Sequence, residues 1–302
     1  MNSTDQTADG SGIARSEAIA QQSRSRLMQV ASRLDRRRYR LFCPCYASMR
    51  IIDDLVDRDL PEGRAGLTEE AARHLLEDWL AECIVAVTGE GRGTRHPVLQ
   101  ELAAIAPGTG MPVRPWQRLA GALRLDIAGQ APESWEDFYH YSAGASGGPT
   151  EAFLAILALG EGQAALRADA LACAAEAALP LAHFCYLVHI ARDLTDDAAG
   201  DPRLLSVPDA VLRGFGLTKA ALRVAAERRE ADAFLPVLRA VLEEAETHGP
   251  GVAEACAAML PYLDDLGRDG LQRIVAAYRD LHGRIAAAPE IWIRDRLAGG
   301  AA

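Results

Sequence analysis

From residue 24 onward, apolar residues recur at intervals of three and four, the spacing that gives one buried stripe on a helix. The first such segments span 24–34 and 36–57, with Pro44 marking a kink or a fresh start in the second. Thr68 reads as the N-cap of a third helix, with Glu70 and Ala71 in its first turn. Glycine and proline place loops at 89–95 and 106–111. Helices are then predicted over 113–128, 134–158, 163–178 and 181–197, with Pro180 as a start or kink. A loop follows Ala198, then short helices at 208–213 and 218–228 and longer ones at 230–247, 251–260 and 269–296. No segment alternates with the period of a strand, and no hairpin signal or internal repeat is visible. Residues 1–22 are rich in Ser, Thr, Gln, Asp and Gly and read as a disordered tail. No linker divides the remainder, so the expectation is one all-α domain over 23–302.

Composition adds two constraints. The chain has 302 residues, 49% of them hydrophobic, enough for a substantial core, and its formal net charge is −10. That charge argues against nucleic-acid binding, which needs a basic face. It also means that an anionic substrate would need local positive charge, for which a metal ion is the obvious source. The six cysteines at 43, 45, 83, 173, 185 and 256 match no zinc or redox spacing and read as buried thiols of a reducing compartment. The N-terminus lacks an apolar signal core, and no uninterrupted apolar run reaches the roughly 20 residues of a membrane span. The expectation is a cytoplasmic protein, monomer or homodimer, with loose membrane-surface contact left open.

Charge is also placed where a helix should resist it. Tyr46, Arg50, Asp53 and Asp57 fall at i, i+4, i+7 and i+11 and share one helical face, with Asp54 beside them. Tyr186, His189, Asp193 and Asp197 form a second stripe at i, i+3, i+7 and i+11, next to Arg192. Like charges four apart destabilise a helix by roughly 0.2–0.5 kcal/mol, and apolar neighbours such as Ile52 and Val56 oppose desolvation further. A hard divalent cation removes both objections, because Mg²⁺ takes one or two carboxylates together with phosphate oxygens and water. Two such helices face to face would hold several Mg²⁺ ions around a diphosphate, with Arg50 and Arg192 supplying fixed positive charge.

These residues resemble the motifs of the squalene/phytoene synthase family. Tyr46-Ala-Ser-Met-Arg50-Ile-Ile-Asp53-Asp54-Leu-Val-Asp57 is similar to that family's Tyr-Ala-Phe-Cys-Arg-x-x-Asp-Asp-x-Val-Asp. His189-Ile-Ala-Arg192-Asp193-Leu-Thr-Asp196-Asp197 resembles its Asn-Ile-x-Arg-Asp-x-x-x-Asp. Between them, Phe138-Tyr-His-Tyr141-Ser-Ala-Gly144-Ala-Ser-Gly147 is similar to Tyr-Cys-His-Tyr-Val-Ala-Gly-x-Val-Gly, and Leu125-Asp126-Ile127 stands where the family has Met-Asp-Leu. The likeness covers roughly 25–296, in order. It implies an all-α class I prenyl synthase bundle with a central pocket. The implied reaction is Mg²⁺-dependent head-to-head (1′-1) condensation of two farnesyl or geranylgeranyl diphosphates through a cyclopropylcarbinyl diphosphate, with Mn²⁺ as a substitute metal. Squalene synthases add an NADPH reduction; phytoene synthases do not.

Carried over residue by residue, Asp53, Asp54, Asp57, Asp193 and Asp197 become metal ligands. Arg50 and Arg192, with Tyr278 and Arg294 or Arg296, become diphosphate contacts. Tyr46, Phe138, Tyr141, Tyr186 and His189 become pocket residues. The chain also departs from the pattern. Phe138 replaces a tyrosine proposed to handle protons, and Tyr186 and His189 replace Gln and Asn, which makes His189 either a metal or phosphate contact or a hydrogen-bonded core histidine. The family's early Ser-Phe pair is not evident around 28–31. These changes keep open a terpene synthase-like cyclisation of a single prenyl diphosphate. A non-catalytic assembly factor on the same fold is the third reading, and retention of the aspartates speaks against it.

Overall fold

Helices alone make up the regular structure of the computed structural model, whose described residues are 14–23, 25–91, 93–200 and 206–299. In chain order they are α1 (Ala14–Gln22), α2 (Arg26–Ala31), α3 (Arg36–Asp54), α4 (Glu69–Thr88) and α5 (Pro97–Ile105). Then come α6 (Arg114–Ile127), α7 (Trp135–Ala145), α8 (Gly147–Leu157), α9 (Ala168–Ala199) and α10 (Asp209–Gly214). The chain closes with α11 (Lys219–Arg228), α12 (Ala231–Thr247), α13 (Gly249–Met259), α14 (Asp265–Ala287) and α15 (Pro289–Leu297). All residues of α8 except Pro149 are buried, and α9, 32 residues long, packs against α8, α12 and α13 to form the centre of a single bundle.

Local chemistry sets the boundaries. Thr68 caps α4 as predicted, accepting from the Ala71 amide at 3.2 Å. Asp35 caps α3 through the amides of Arg37 and Arg38. The fully buried Arg38 then pairs with Asp35 at 3.2 Å and with Asp264 at 2.7 Å, and Asp264 itself caps α14. One guanidinium thus ties together the beginnings of α3 and α14, two helices that line the central cavity.

The helical plan departs from the sequence reading in four places. Helices α3 and α9 run through Pro44 and Pro180 without a restart. The 134–158 segment breaks at Ser146, where the chain turns from α7 into α8. The 269–296 segment is two helices, because Pro289 opens α15. The supposed tail is helical from Ala14, while residues 1–13 lie outside the described residues. Its polar composition conceals two small side chains one turn apart, Ser16 and Ala20, both fully buried against the bundle. The Ser16 amide donates to Glu101 Oε2 at 3.1 Å and the Tyr39 hydroxyl to Glu17 at 2.7 Å.

Two glycines let α7 and α8 lie on α6. A Cβ at Gly144 would stand 2.5 Å from the Arg118 carbonyl, and one at Gly148 would stand 2.5 Å from the Pro115 carbonyl. This close approach places Tyr141, one turn before Gly144, against the end of α6 that carries Asp126.

Candidate functional site

The first acidic stripe opens into a cavity of about 280 Å³. Tyr46, Met49, Arg50 and Asp53 reach it from α3, and Asp57 reaches it from a widened turn over Leu55–Asp59. In that turn the Leu60 amide bonds to the Leu55 carbonyl, five residues back, at 2.9 Å. Such π-type turns are rare and concentrate at functional sites. Asp54 lies outside the cavity lining and instead accepts from Arg50 at 2.5 Å and pairs with Arg58 at 3.3 Å. Arg50 spans Asp54 and Asp53, the latter at 3.1 Å. Apolar side chains, among them Leu119, Phe153, Leu181 and Ile274, complete the wall.

The second stripe faces the same space only along its first half. Tyr186 and His189 line the cavity, as does Tyr278 from α14, whose hydroxyl lies 2.8 Å from His189 Nε2. Asp193 and Asp197 continue the stripe one and two turns farther along α9, beyond the cavity lining. Arg192 grips Asp193 with two hydrogen bonds, and Arg296 from α15 reaches Asp193 at 3.2 Å and also pairs with Asp196. Arg294, carried over as a diphosphate contact, is exposed; α15 turns Arg296 toward the motif instead. The sequence offered both arginines, and only the phase of α15, reset at Pro289, selects between them.

Phe138 also needs correction as a pocket residue. It is fully buried and stacks behind Tyr186, with ring centroids 5.6 Å apart and planes at 11°. Its neighbour Tyr139 points away, bonding to Glu244 and, at 2.9 Å, to His248. Tyr141 is the residue of that motif whose hydroxyl faces the site, and it donates to Asp126 at 3.2 Å. Tyr141, Tyr186 and Asp57 also border a second cavity of about 520 Å³, which contains Asp126 and Lys219. The two cavities therefore meet at these three side chains.

Two contributors escaped the sequence reading. Arg26 lines the first cavity, stands 5.9 Å above the Tyr278 ring and keeps its Nε buried without a hydrogen-bond partner. It follows the N-cap Ser25 of α2, and its local sequence carries no mark of the contact with Tyr278 on α14. Asp126 was visible as part of a motif, but its role as Tyr141's partner depends on the approach of α7 to α6.

The electrostatics are unusual for carboxyls. Burial pushes Asp57 up to about 8, with Asp53 and Asp126 adding repulsion. Burial likewise lifts Asp126 to about 7 against the opposing Tyr141 hydrogen bond, and lifts Asp53 to about 6 against Arg50. Asp197 rises to about 7 through burial and the nearby Asp193 and Asp196. His189 moves the opposite way, to about 3, because burial and the Arg192 charge disfavour its cation.

The donor set suits Mg²⁺. Among the described residues no three His, Cys, Asp or Glu side chains form a closed metal cage. Mg²⁺ does not require one, since it keeps waters and takes one or two carboxylates together with substrate phosphates. Oxygen donors strained by burial and mutual repulsion are the groups whose charge a dication would restore.

The sequence profile of the squalene/phytoene synthase family matches residues 19–298. A ligand-bound dehydrosqualene synthase structure is 18% identical, with a TM-score of 0.69 over 95% of both chains. The squalene synthase HpnC from Alicyclobacillus acidocaldarius is 19% identical, with a TM-score of 0.64 over 91% of this chain and 94% of that one. A complex of TcSQS with E5700 is 17% identical, with a TM-score of 0.69 over 90% of this chain and 78% of the other. At such identities these neighbours establish the fold. No curated protein matches the chain by sequence.

Proposed function

Because the chain belongs to the squalene/phytoene synthase family, whose members are prenyltransferases, we propose that it joins two prenyl diphosphates head to head through a cyclopropylcarbinyl diphosphate. The observation that carries this reading is the cavity itself: Asp53, Asp57 and Arg50 open into a space otherwise walled by apolar and aromatic side chains. An anionic head and a hydrocarbon tail are both provided for. The second cavity, meeting the first at Asp57, Tyr141 and Tyr186, supports a reaction of two chains over cyclisation of one.

Asp53, Asp57, Asp193 and Asp197 are the residues that would hold Mg²⁺, which supplies Lewis-acid stabilisation of the departing diphosphate. Arg50, already forked between Asp53 and Asp54, offers N–H groups suited to phosphate oxygens. The apolar wall keeps water from a reactive allylic cation. Tyr46, Tyr141, Tyr186 and Phe153 present ring faces or edges to the same space.

The test is direct. Purified protein is incubated with farnesyl or geranylgeranyl diphosphate and Mg²⁺, with and without NADPH, and the organic-soluble products are identified. A C30 or C40 hydrocarbon, or the cyclopropyl diphosphate, is the expected result. A monomeric cyclic terpene, or no turnover of any allylic diphosphate by folded protein, overturns the reading.

A further inference from the structure

We infer that Lys219 is a carbonyl-capturing amine, which forms a reversible imine with an aldehyde whose apolar tail fills the second cavity. Of the 32 lysine and arginine residues in the chain it is the one lysine. Arginine, permanently charged, supplies every other fixed side-chain cation, whereas lysine can shed its proton and act as a nucleophile. That one amine belongs to a residue lining the cavity of about 520 Å³, a volume ordinary for a small-molecule site.

Lys219 is the first residue of α11, after the N-cap Thr218, where the positive end of the helix disfavours an ammonium. Its side chain is 15% exposed, and Nζ is buried without a hydrogen-bond partner among the described residues. Asp209 on α10, its one ion-pair partner among them, stands 3.8 Å away, beyond hydrogen-bond reach. Burial outweighs that carboxylate and lowers the amine from its ordinary pKa. Both the helix end and burial favour the neutral amine, whose lone pair is the nucleophile. The flexible four-carbon stem lets Nζ turn into the cavity without moving the helix.

The cavity wall selects the occupant. Asp57, Glu69 and Asp126 line it together with Lys219, so an anion arriving without metal meets three carboxyls for one amine. Leu60, Leu67 and Ile127 offer apolar surface to a neutral tail instead. Carboxylates and phenols form no lasting adduct with a carbonyl, so the acidic and tyrosine side chains of the wall do not compete for an aldehyde. The amine lone pair attacks the carbonyl carbon and gives a carbinolamine. The carbonyl oxygen then leaves as water with both amine hydrogens, and a C=N bond remains. Nothing is oxidised or reduced, and hydrolysis restores the lysine. One consequence rests on the head-to-head reading: the captured tail lies beside Asp57, Tyr141 and Tyr186, where the two cavities meet, and acts as a brake on entry of the second chain.

The experiment treats the purified protein with hexanal and sodium cyanoborohydride, which fixes an imine as a secondary amine, and follows Lys219 by peptide mass spectrometry. The ε-amine of N-acetyl-lysine amide is the reference. Lys219 should react with hexanal about tenfold faster than the reference, an advantage absent with glyoxylate, an anionic aldehyde, and lost in urea. Ala131→Trp, which puts a bulky ring at the exposed rim of the cavity, should remove most of the advantage. Labelling of folded wild type no faster than the reference overturns the inference, as does an equal advantage with glyoxylate or one that survives unfolding. A folded Ala131→Trp protein that labels as fast as wild type overturns the placement in the cavity, and the wild-type comparisons decide the matter if that variant fails to fold. Consumption of farnesyl diphosphate with Mg²⁺ should fall in step with the labelled fraction; labelled protein with undiminished consumption overturns the brake. Wild type that consumes no prenyl diphosphate sinks the head-to-head reading and the brake with it, while capture by Lys219 is decided by labelling alone.

Discussion

Replacing Asp57 by asparagine should stabilise the metal-free protein while abolishing turnover. Asp57 is held at about 8 by burial and by the neighbouring Asp53 and Asp126, against an ordinary 3.8. A carboxyl whose folded pKa is raised binds its proton more tightly in the native state. The sign of the linkage follows: native stability falls as pH rises from about 4 through about 8, and is flat above that. At pH 7 the displacement is about three pKa units, or roughly 4 kcal/mol at 1.36 kcal/mol each. Water at the cavity mouth and repulsion shared among several carboxyls reduce this to about 2 kcal/mol. An uncharged, nearly isosteric Asn escapes the penalty, so the melting temperature should rise by about 5 °C at pH 7 and by about a third of that at pH 5. Calorimetry of both proteins in chelator at the two pH values measures this. Adding Mg²⁺ with a non-hydrolysable prenyl diphosphate analogue should then raise the wild-type transition far more than that of the variant. A variant that melts no higher than wild type at pH 7, or whose advantage does not shrink at pH 5, refutes the argument.

Other expectations follow from single contacts. Arg50→Lys keeps the charge and loses the fork across Asp53 and Asp54, so kcat/KM should fall by about 100-fold while the circular dichroism spectrum is preserved. Gly148→Ala drives a methyl against the Pro115 carbonyl and should cost about 1–3 kcal/mol in urea unfolding. Gly121→Ala, on the open side of α6, should instead gain about 0.5–1 kcal/mol. Tyr139→Phe removes a hydroxyl from Glu244 and His248 outside the cavity, costing about 1 kcal/mol of stability with activity within about twofold. Tyr141→Phe frees Asp126 at the junction of the two cavities and should lower kcat/KM by about tenfold. Equal activities for the two tyrosine variants would contradict the assignment of Tyr141 to the site.

What the sequence could reveal was set by how local the determining physics is. Helix periodicity and caps depend on residues within a turn or two, so Thr68 and the stripe from Tyr46 to Asp57 were legible as they stand. The π-type turn at Leu55–Asp59 kept Asp57 at the cavity without any sequence signal. Pro180 was a local break signal overridden by packing, since α9 is held along its length by α8, α12 and α13. Phe138 sits in a recognisable motif, yet its distance from the cavity depends on a ring from another helix, Tyr186, lying in front of it. Arg26 was missed, and Arg296 was left undecided from Arg294, for the same reason. Each acts on side chains more than ninety residues away, Tyr278 and Asp193, a relation that only the closed bundle creates.

The closed bundle also breaks a symmetry that the sequence could not resolve. Within each stripe the two aspartates are equivalent on paper, four residues apart on one face. In the fold Asp53 and Asp193 are each gripped by arginines, from Arg50 on one side and from Arg192 and Arg296 on the other. Asp57 and Asp197, the last carboxyl of each stripe, have no ion pair among the described residues, and both sit well above the usual carboxylate range. An arginine-held carboxylate is partly neutralised and gains less from another cation, although burial still lifts Asp53 to about 6 against Arg50. An unpaired, desolvated one gains most, because a dication offsets both its burial and its neighbours' repulsion. If the site takes a dication as proposed, most of the favourable free energy of loading it would fall on Asp57 and Asp197. The arginines hold the first aspartate of each stripe and, on the proposed function, would turn N–H groups toward phosphate when metal binds. On the proposed function, this division would let the chain fold without metal and still favour metal and diphosphate together.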